Sequence, residues 1–164
     1  MREIVLILHD LRSTHNVGSL LRTSDGLAVD SVYITGYTPY PRSKHDTRLP
    51  HIVDKLTNQI RKTALGAEVT QKWEYHDDVE ALIGQLRRSG YSIVGLEQNI
   101  NSIKLHEYKA PDKIALILGR EVEGLDSKLI DNLDSIIEIP MFGAKESFNV
   151  VQATAMALYH LRFS

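Results

Sequence analysis

Two short apolar runs near the C-terminal end constrain the fold most. Ile114–Leu118 is wholly aliphatic and stops at Gly119, and Ile136–Ile139 stops at Pro140. Apolar runs this short, bounded by Gly and Pro, read as buried strands rather than helices. Between them lie a short acidic turn, Arg120–Gly124, and a polar helix-like stretch, Asp126–Leu133. After the second run come a glycine turn at Gly143, the segment Glu146-Ser147-Phe148-Asn149, and a long apolar helix. Strands buried on both faces belong to parallel α/β sheets, and such sheets bind ligands beyond the carboxyl ends of their strands. The active site is therefore expected between Ile114 and Val151.

The rest of the chain alternates strand and helix. Glu3–Leu8 and Ser31–Thr35 read as strands, with a helix over about Val17–Asp25 that Gly26 is placed to end in the left-handed conformation. Gly36–Pro50 holds three prolines and no apolar period. It must be a loop, and a loop this long inside a small domain is usually functional. His51–Leu65 reads as a helix with Ile52, Leu56 and Ile60 inside, closed by Gly66. Val69–Tyr75 reads as a strand, Val79–Ser89 as a helix capped by Asp77, and Tyr91–Leu96 as a strand. Ser102–Lys109 is an irregular crossover. The last helix, about Glu146–Arg162, is apolar on most faces, more than one core-facing stripe needs, which predicts a homodimer. The expected fold is a single α/β domain over residues 1–164, with a mostly parallel sheet and helices on both faces.

Several chemistries are excluded. There is no cysteine, so neither a disulfide nor a thiolate metal site can form. The seven histidines are scattered without a ligand-like pair, and no metal is expected. Gly119 and Gly124 have P-loop spacing, but Leu125 and Asp126 stand where Lys and Ser/Thr are required. The first strand is not followed by GxGxxG, and there is no GxSxG elbow. No run approaches membrane-spanning length, and the start of the chain lacks the apolar core of a signal peptide. The expected location is cytoplasmic. Net charge is −2, against wholesale coating of nucleic acid. Charge is nonetheless segregated: Arg42–Lys62 holds six basic residues against two acids, whereas Glu121–Glu138 holds six acids against one lysine. A local basic face on a near-neutral chain fits an anionic partner touched on one side, and equally a pair of ordinary solvated surfaces.

Three blocks stand out in order: Asn16-Val-Gly-Ser-Leu-Leu-Arg22-Thr23, then Leu118-Gly119-Arg-Glu121 running to Gly124-Leu125, then Ile139-Pro140-Met141 followed by Glu146-Ser147-Phe148-Asn149-Val150. Together they resemble the SpoU (TrmH-like) branch of the SPOUT RNA methyltransferases. Phe148, Val151 and Gln152 depart from that branch's usual residues. The length resembles a bare catalytic domain. The resemblance implies transfer of a methyl group from S-adenosylmethionine to a ribose 2′-hydroxyl of tRNA or rRNA, by a homodimer with a deep C-terminal trefoil knot. It implies cofactor contacts from Leu118, Gly119, Ile139, Met141, Gly143 and Phe148, and a catalytic set of Asn16, Arg22, Glu121, Ser147 and Asn149. A non-catalytic RNA-binding module and a base methyltransferase stay open as alternatives.

The residue types suit that chemistry. Apolar walls such as Leu118 and Ile139 accept a flat adenine, and glycines let backbone approach closely. Arg22 stays protonated, so it is expected to hold the phosphate beside the target and to stabilise the forming alkoxide rather than to act as a base. Ser147 and Asn149 either orient the ribose and Arg22 or merely cap the last helix. In the long loop, Arg42, Lys44 and Arg48 are candidates to bind RNA, with Tyr37 and Tyr40 as stacking platforms.

Overall fold

A computed structural model describes residues 1–164. The elements in chain order are β1 (Glu3–His9), α1 (Thr14–Gly26), β2 (Ser31–Thr35), α2 (Pro50–Ala64), α3 (Ala67–Thr70), β3 (Trp73–His76), α4 (Val79–Arg88), β4 (Ser92–Leu96), β5 (Ile103–Lys104), β6 (Lys113–Leu118), α5 (Ser127–Ile130), β7 (Ser135–Glu138) and α6 (Val150–Phe163). Seven strands form one sheet in the order β3-β2-β1-β6-β4-β7-β5, and every pairing is parallel. The expected α/β class is what the chain adopts.

Strand periodicity divides the core in two. On β1, Ile4, Leu6 and Leu8 face the layer of α1, α2 and α6, while Val5 and Ile7 face α4 and α5. On β6, Ile114, Leu116 and Leu118 join the first layer, and Ala115 and Ile117 the second. All of these are at most 2% exposed. Each large aliphatic side chain buried this way contributes roughly 1.5–3 kcal/mol. The register then fixes the site: Leu8 pairs with both Ile34 and Leu118, and Gly95 with both Ile117 and Ile136. The carboxyl ends of β1, β4, β6 and β7 therefore open on the same side of the sheet.

Local chemistry moved several boundaries from the expected ones. Gly26 is the last residue of α1 and is not left-handed; Ala28 takes the positive φ of 53° instead. Arg162 offsets that conformation by donating to the carbonyls of Leu27 and Ala28. On α2 the buried residues are Val53, Ile60 and Ala64, and Ile52 points outward. Val69–Tyr75 is not one strand. Leu65 and Gly66 both adopt positive φ, Glu68 accepts from Arg61 and from the Gly66 amide, and the chain turns through α3 before β3 starts at Trp73. Asp78, not Asp77, caps α4. Asp126–Leu133 yields only the single turn α5, and the crossover contains a two-residue edge strand, β5. The last helix starts at Val150, because Asn149 caps it by accepting from the Val151 amide at 2.8 Å.

Gly18 sets the closest approach between helices. A Cβ there would overlap the Thr63 hydroxyl and the Ile60 carbonyl oxygen of α2. Gly18→Ala is expected to force α1 and α2 apart and to destabilise the fold by about 1–3 kcal/mol in urea titration. A change under about 0.5 kcal/mol would show that the helices part at no cost.

Candidate active site

The loops after β4, β6 and β7 enclose a cavity of about 520 Å³. Leu118, Gly119, Glu121, Ile139, Ser147 and Phe148 line it, six of the residues expected from the sequence. Asn16 joins through Glu121, whose Oε1 accepts from the Asn16 side chain at 3.3 Å. Asn149 stands at the head of α6 as its cap. Met141 and Gly143 are not among the lining residues. Arg22 is also outside it: it is exposed and has no hydrogen-bond or ion-pair partner. It lies six residues beyond Asn16, about 9 Å further along the helix and a third of a turn around it.

Sequence reasoning missed the contribution of β4. Leu96, Glu97 and Gln98 form one wall, and Gln98 Nε2 donates to the Glu146 carbonyl at 2.9 Å, strapping the segment before α6 over the cavity. The rule that ligands sit beyond strand ends, applied to Tyr91–Leu96, would have found them. Gly119 has a reason other than the expected close approach to a ligand. A Cβ there would overlap the backbone of Gly124 and Leu125, because the turn folds back through paired hydrogen bonds between Arg120 and Gly124.

Charge distinguishes this cavity. Glu97, Glu121, Glu138 and Glu146 line it against a single arginine, Arg120. Glu121 is already engaged: its carboxylate accepts from the Ser13 amide at 3.0 Å, the Arg12 amide at 3.1 Å and Asn16. Burial pushes its carboxyl up, but the Ser13 and Arg12 amides, its own amide and Asn16 outweigh this and hold it below the ordinary 4.5. Alongside, Asp10 is 9% exposed with φ of 56°; it accepts from the Tyr37 amide at 3.0 Å and pairs with Arg120 at 3.5 Å. His9 lies 3.3 Å from Asp10, and its Nδ1 is 2.9 Å from the Thr35 hydroxyl. Burial, which outweighs the carboxylates of Asp10 and Asp126, pushes the His9 imidazole down and keeps it neutral at neutral pH.

The long loop is more ordered than its composition suggested. Arg48 donates to both oxygens of Asp46 and to the carbonyls of Tyr40 and Pro41. Its guanidinium also lies 3.5 Å from the Tyr40 ring centre, and Tyr40 stacks on Tyr75 at 4.2 Å. Hydrogen bonds from Arg48 hold the Asp46 carboxyl well below the usual carboxylate range. Arg48 thus builds the loop from inside, and both faces of Tyr40 are covered. Arg42 pairs with Asp54 at 2.5 Å, while Lys44 is exposed without a partner. Tyr37 stays 51% exposed and stacks on no other ring.

A model of the SpoU rRNA Methylase family matches residues 3–159. The chain belongs to that family. A Staphylococcus aureus protein assigned to the TrmH family of tRNA/rRNA methyltransferases is 30% identical over 157 residues, which are 96% of this chain and 57% of that protein. A tRNA (guanosine(18)-2′-O)-methyltransferase of Borreliella burgdorferi is 26% identical over 158 residues, 96% of this chain and 65% of that one. The chain thus spans a little over half the length of these curated relatives. The crystal structure of an AdoMet-bound rRNA methyltransferase from Sinorhizobium meliloti has the same fold, with a TM-score of 0.80 at 20% identity, over 99% of this chain and 57% of that one.

The Glu121 clamp predicts a pH dependence. A carboxyl held lower in the folded than in the unfolded state stabilises above its unfolded value, and that contribution is lost as pH falls through the folded value. The stability gap between the wild type and Glu121→Gln, measured in urea, is expected to be constant from about pH 6 to 8 and to close below about 4.5. A gap that persists unchanged to about pH 3 would show that the Glu121 charge contributes nothing.

Proposed function

We propose that this chain is a methyltransferase domain, residues 1–164, that uses S-adenosylmethionine to methylate a ribose 2′-hydroxyl of tRNA or rRNA. The observation that carries the proposal is the acid-rich cavity at the ends of β4, β6 and β7 in a chain of this family. Its size is that of a cofactor site. Four carboxylates suit a ligand bearing sulfonium and ammonium charges, and Leu96, Leu118, Ile139 and Phe148 suit a flat adenine. Glu121 is tied to α1 and Glu97 accepts from the Gln98 and Leu125 amides, which leaves Glu138 and Glu146 for the ligand's cationic groups. When bound, the cofactor supplies an electrophilic methyl group.

The chain's own residues prepare for that chemistry. The apolar walls exclude water, which strengthens every charge interaction inside. Glu121 fixes Asn16 and the start of α1 against the cavity, and orientation of this kind lowers the barrier. Arg22 remains protonated, so it serves as the anchor for the RNA phosphate next to the target and as the stabiliser of the forming alkoxide. Ser147 orients the ribose, and Asn149 holds the start of α6 below it. The deep C-terminal knot belongs to the same proposal, supported by the chain's membership of the SpoU rRNA Methylase family. An experimental chain trace from which α6 can be withdrawn without threading a loop would remove it. A cytoplasmic location is consistent with the lack of any helix long and apolar enough to cross a membrane; fractionation that finds the protein outside the cytoplasm would refute it.

Calorimetry with S-adenosylhomocysteine is expected to give one site per chain, and Arg22→Ala to keep that affinity. Transfer to RNA by Arg22→Ala is expected to fall below a tenth of the wild-type rate, a deficit above about 1.4 kcal/mol. No heat and no thermal stabilisation at about 1 mM ligand would reject the cofactor site. Cofactor binding without transfer would favour the non-catalytic RNA-binding module, and methyl groups found on bases would favour base methylation.

The homodimer rests on α6. Thr154, Ala157, Leu158 and Leu161 face the core, and on the other side Met156, Tyr159 and Phe163 remain 37%, 61% and 70% exposed beside an apolar cleft. Such a face is suited to a partner. Light scattering at micromolar concentration is expected to give twice 18.5 kDa, and Tyr159→Glu to shift the protein toward monomer. A wild-type mass near 18.5 kDa would exclude the dimer.

A further inference from the structure

A second cavity, of about 830 Å³, opens between the starts of α1 and α2, beyond the ends of β2 and β3. None of its fifteen lining residues is acidic. Arg12, His15, Arg48 and Lys55 all line it, the reverse of the glutamate-lined cavity next door. Arg48 is neutralised behind the wall by Asp46, and Arg12 reaches Glu123 at 3.2 Å on the rim. Lys55 has no ion-pair partner and is exposed at the cavity wall. The first-turn amides of Thr14 and His15 donate to no protein acceptor, whereas the preceding Arg12 and Ser13 amides already hold the Glu121 carboxylate. The apolar part of the lining is Tyr37, half exposed, with Ile52 at 39% exposure and Leu56, the last two on the same helix as Lys55. Gln59 adds a carboxamide that can both donate and accept.

Cations set among aromatic and aliphatic side chains, with no carboxylate in the lining, suit an anion attached to a flat ring. We propose that this cleft is a subsite for one unpaired nucleotide of the RNA, with its base against Tyr37, Ile52 and Leu56 and its phosphate at Lys55. The proposal rests on the reading of the chain as an RNA methyltransferase and specifies where that RNA is held. The two cavities share a partition. Arg12 and Ser13 line the cleft, while their amides bind Glu121 of the glutamate-lined cavity. A nucleotide in the cleft is therefore a near neighbour, along the strand, of the ribose presented for methylation. Paired bases cannot enter such a space, because their faces are already stacked, so the cleft selects single-stranded or extruded nucleotides. Tyr40, sealed between Arg48 and Tyr75, makes the wall rigid without serving as the platform itself.

The test uses the full chain, a fluorescein-labelled mixed-sequence single-stranded oligoribonucleotide, and the same strand annealed to its complement. The single strand is expected to bind more tightly than the duplex. Lys55→Glu and Ile52→Glu, both exposed positions, are each expected to weaken it by about tenfold or more while S-adenosylhomocysteine affinity is unchanged. The milder Lys55→Gln is expected to lower the slope of log affinity against log salt by just under about one unit. Photocrosslinks from 4-thiouridine in the strand are expected at Tyr37 and the first turns of α2. Affinity within about twofold of wild type in both charge variants, with thermal melts intact, would overturn the subsite, as would crosslinks lying wholly outside the cleft. A wild type that binds neither oligonucleotide nor S-adenosylhomocysteine would overturn the methyltransferase reading as well. Intact cofactor binding with unaltered RNA binding in the variants would overturn the subsite alone.

Discussion

The site depends on where one carboxylate sits. Glu121 lies on the turn after β6, and its oxygens take the amides of Arg12 and Ser13 and the side chain of Asn16. Three donors from the start of α1 thus converge on one acceptor from a segment more than a hundred residues away. The amide at the head of a helix is otherwise an unpaired donor carrying the positive end of the dipole. Glu121 satisfies that need and simultaneously closes the floor of the cavity. The turn that carries Glu121 is held by the Arg120–Gly124 hydrogen bonds, which only a glycine at 119 permits. The motif residues Gly119, Glu121 and Asn16 are therefore one mechanical unit.

How much of this was legible in the sequence depends on the range of the interaction. The strands of the sheet centre were clear, because continuous aliphatic runs such as Ile4–Leu8 and Ile114–Leu118 allow little else. The placement of the cavity followed from them. What was not legible came from contacts distant in the chain. Ala28 holds a left-handed conformation because Arg162 binds the carbonyls around it. The turn through α3 depends on Glu68 reaching back to Arg61 and Gly66. Ile52 and Leu56 obeyed helical spacing but on the face turned to the cleft, since Gly18 pulls α2 toward α1 along Val53, Ile60 and Ala64. Composition likewise misrepresented Arg48. It lies among free cations in sequence, yet its hydrogen bonds go to Asp46 and two backbone carbonyls, so of the three loop cations only Lys44 is left without a partner.

The two cavities carry opposite charge for a reason rooted in desolvation. A cation moved into an enclosed space loses water and needs fixed negative groups, and an anion needs fixed positive ones. In the proposed reading, glutamates at the ends of β4, β6 and β7 meet the first need and Lys55 meets the second. Placed in direct contact, the two sets of protein charges would neutralise each other and leave neither cavity attractive to its ligand. The partition prevents this. Glu121 engages the backbone of Arg12 and Ser13 rather than their side chains, and Asp10 pairs with Arg120 while accepting from the Tyr37 amide. These hydrogen bonds use the charges at the boundary and leave Glu138 and Glu146 on one side and Lys55 on the other available. Two sites of opposite sign can then sit within one strand end of each other. That arrangement suits the proposed meeting of a cationic methyl donor and a polyanionic acceptor.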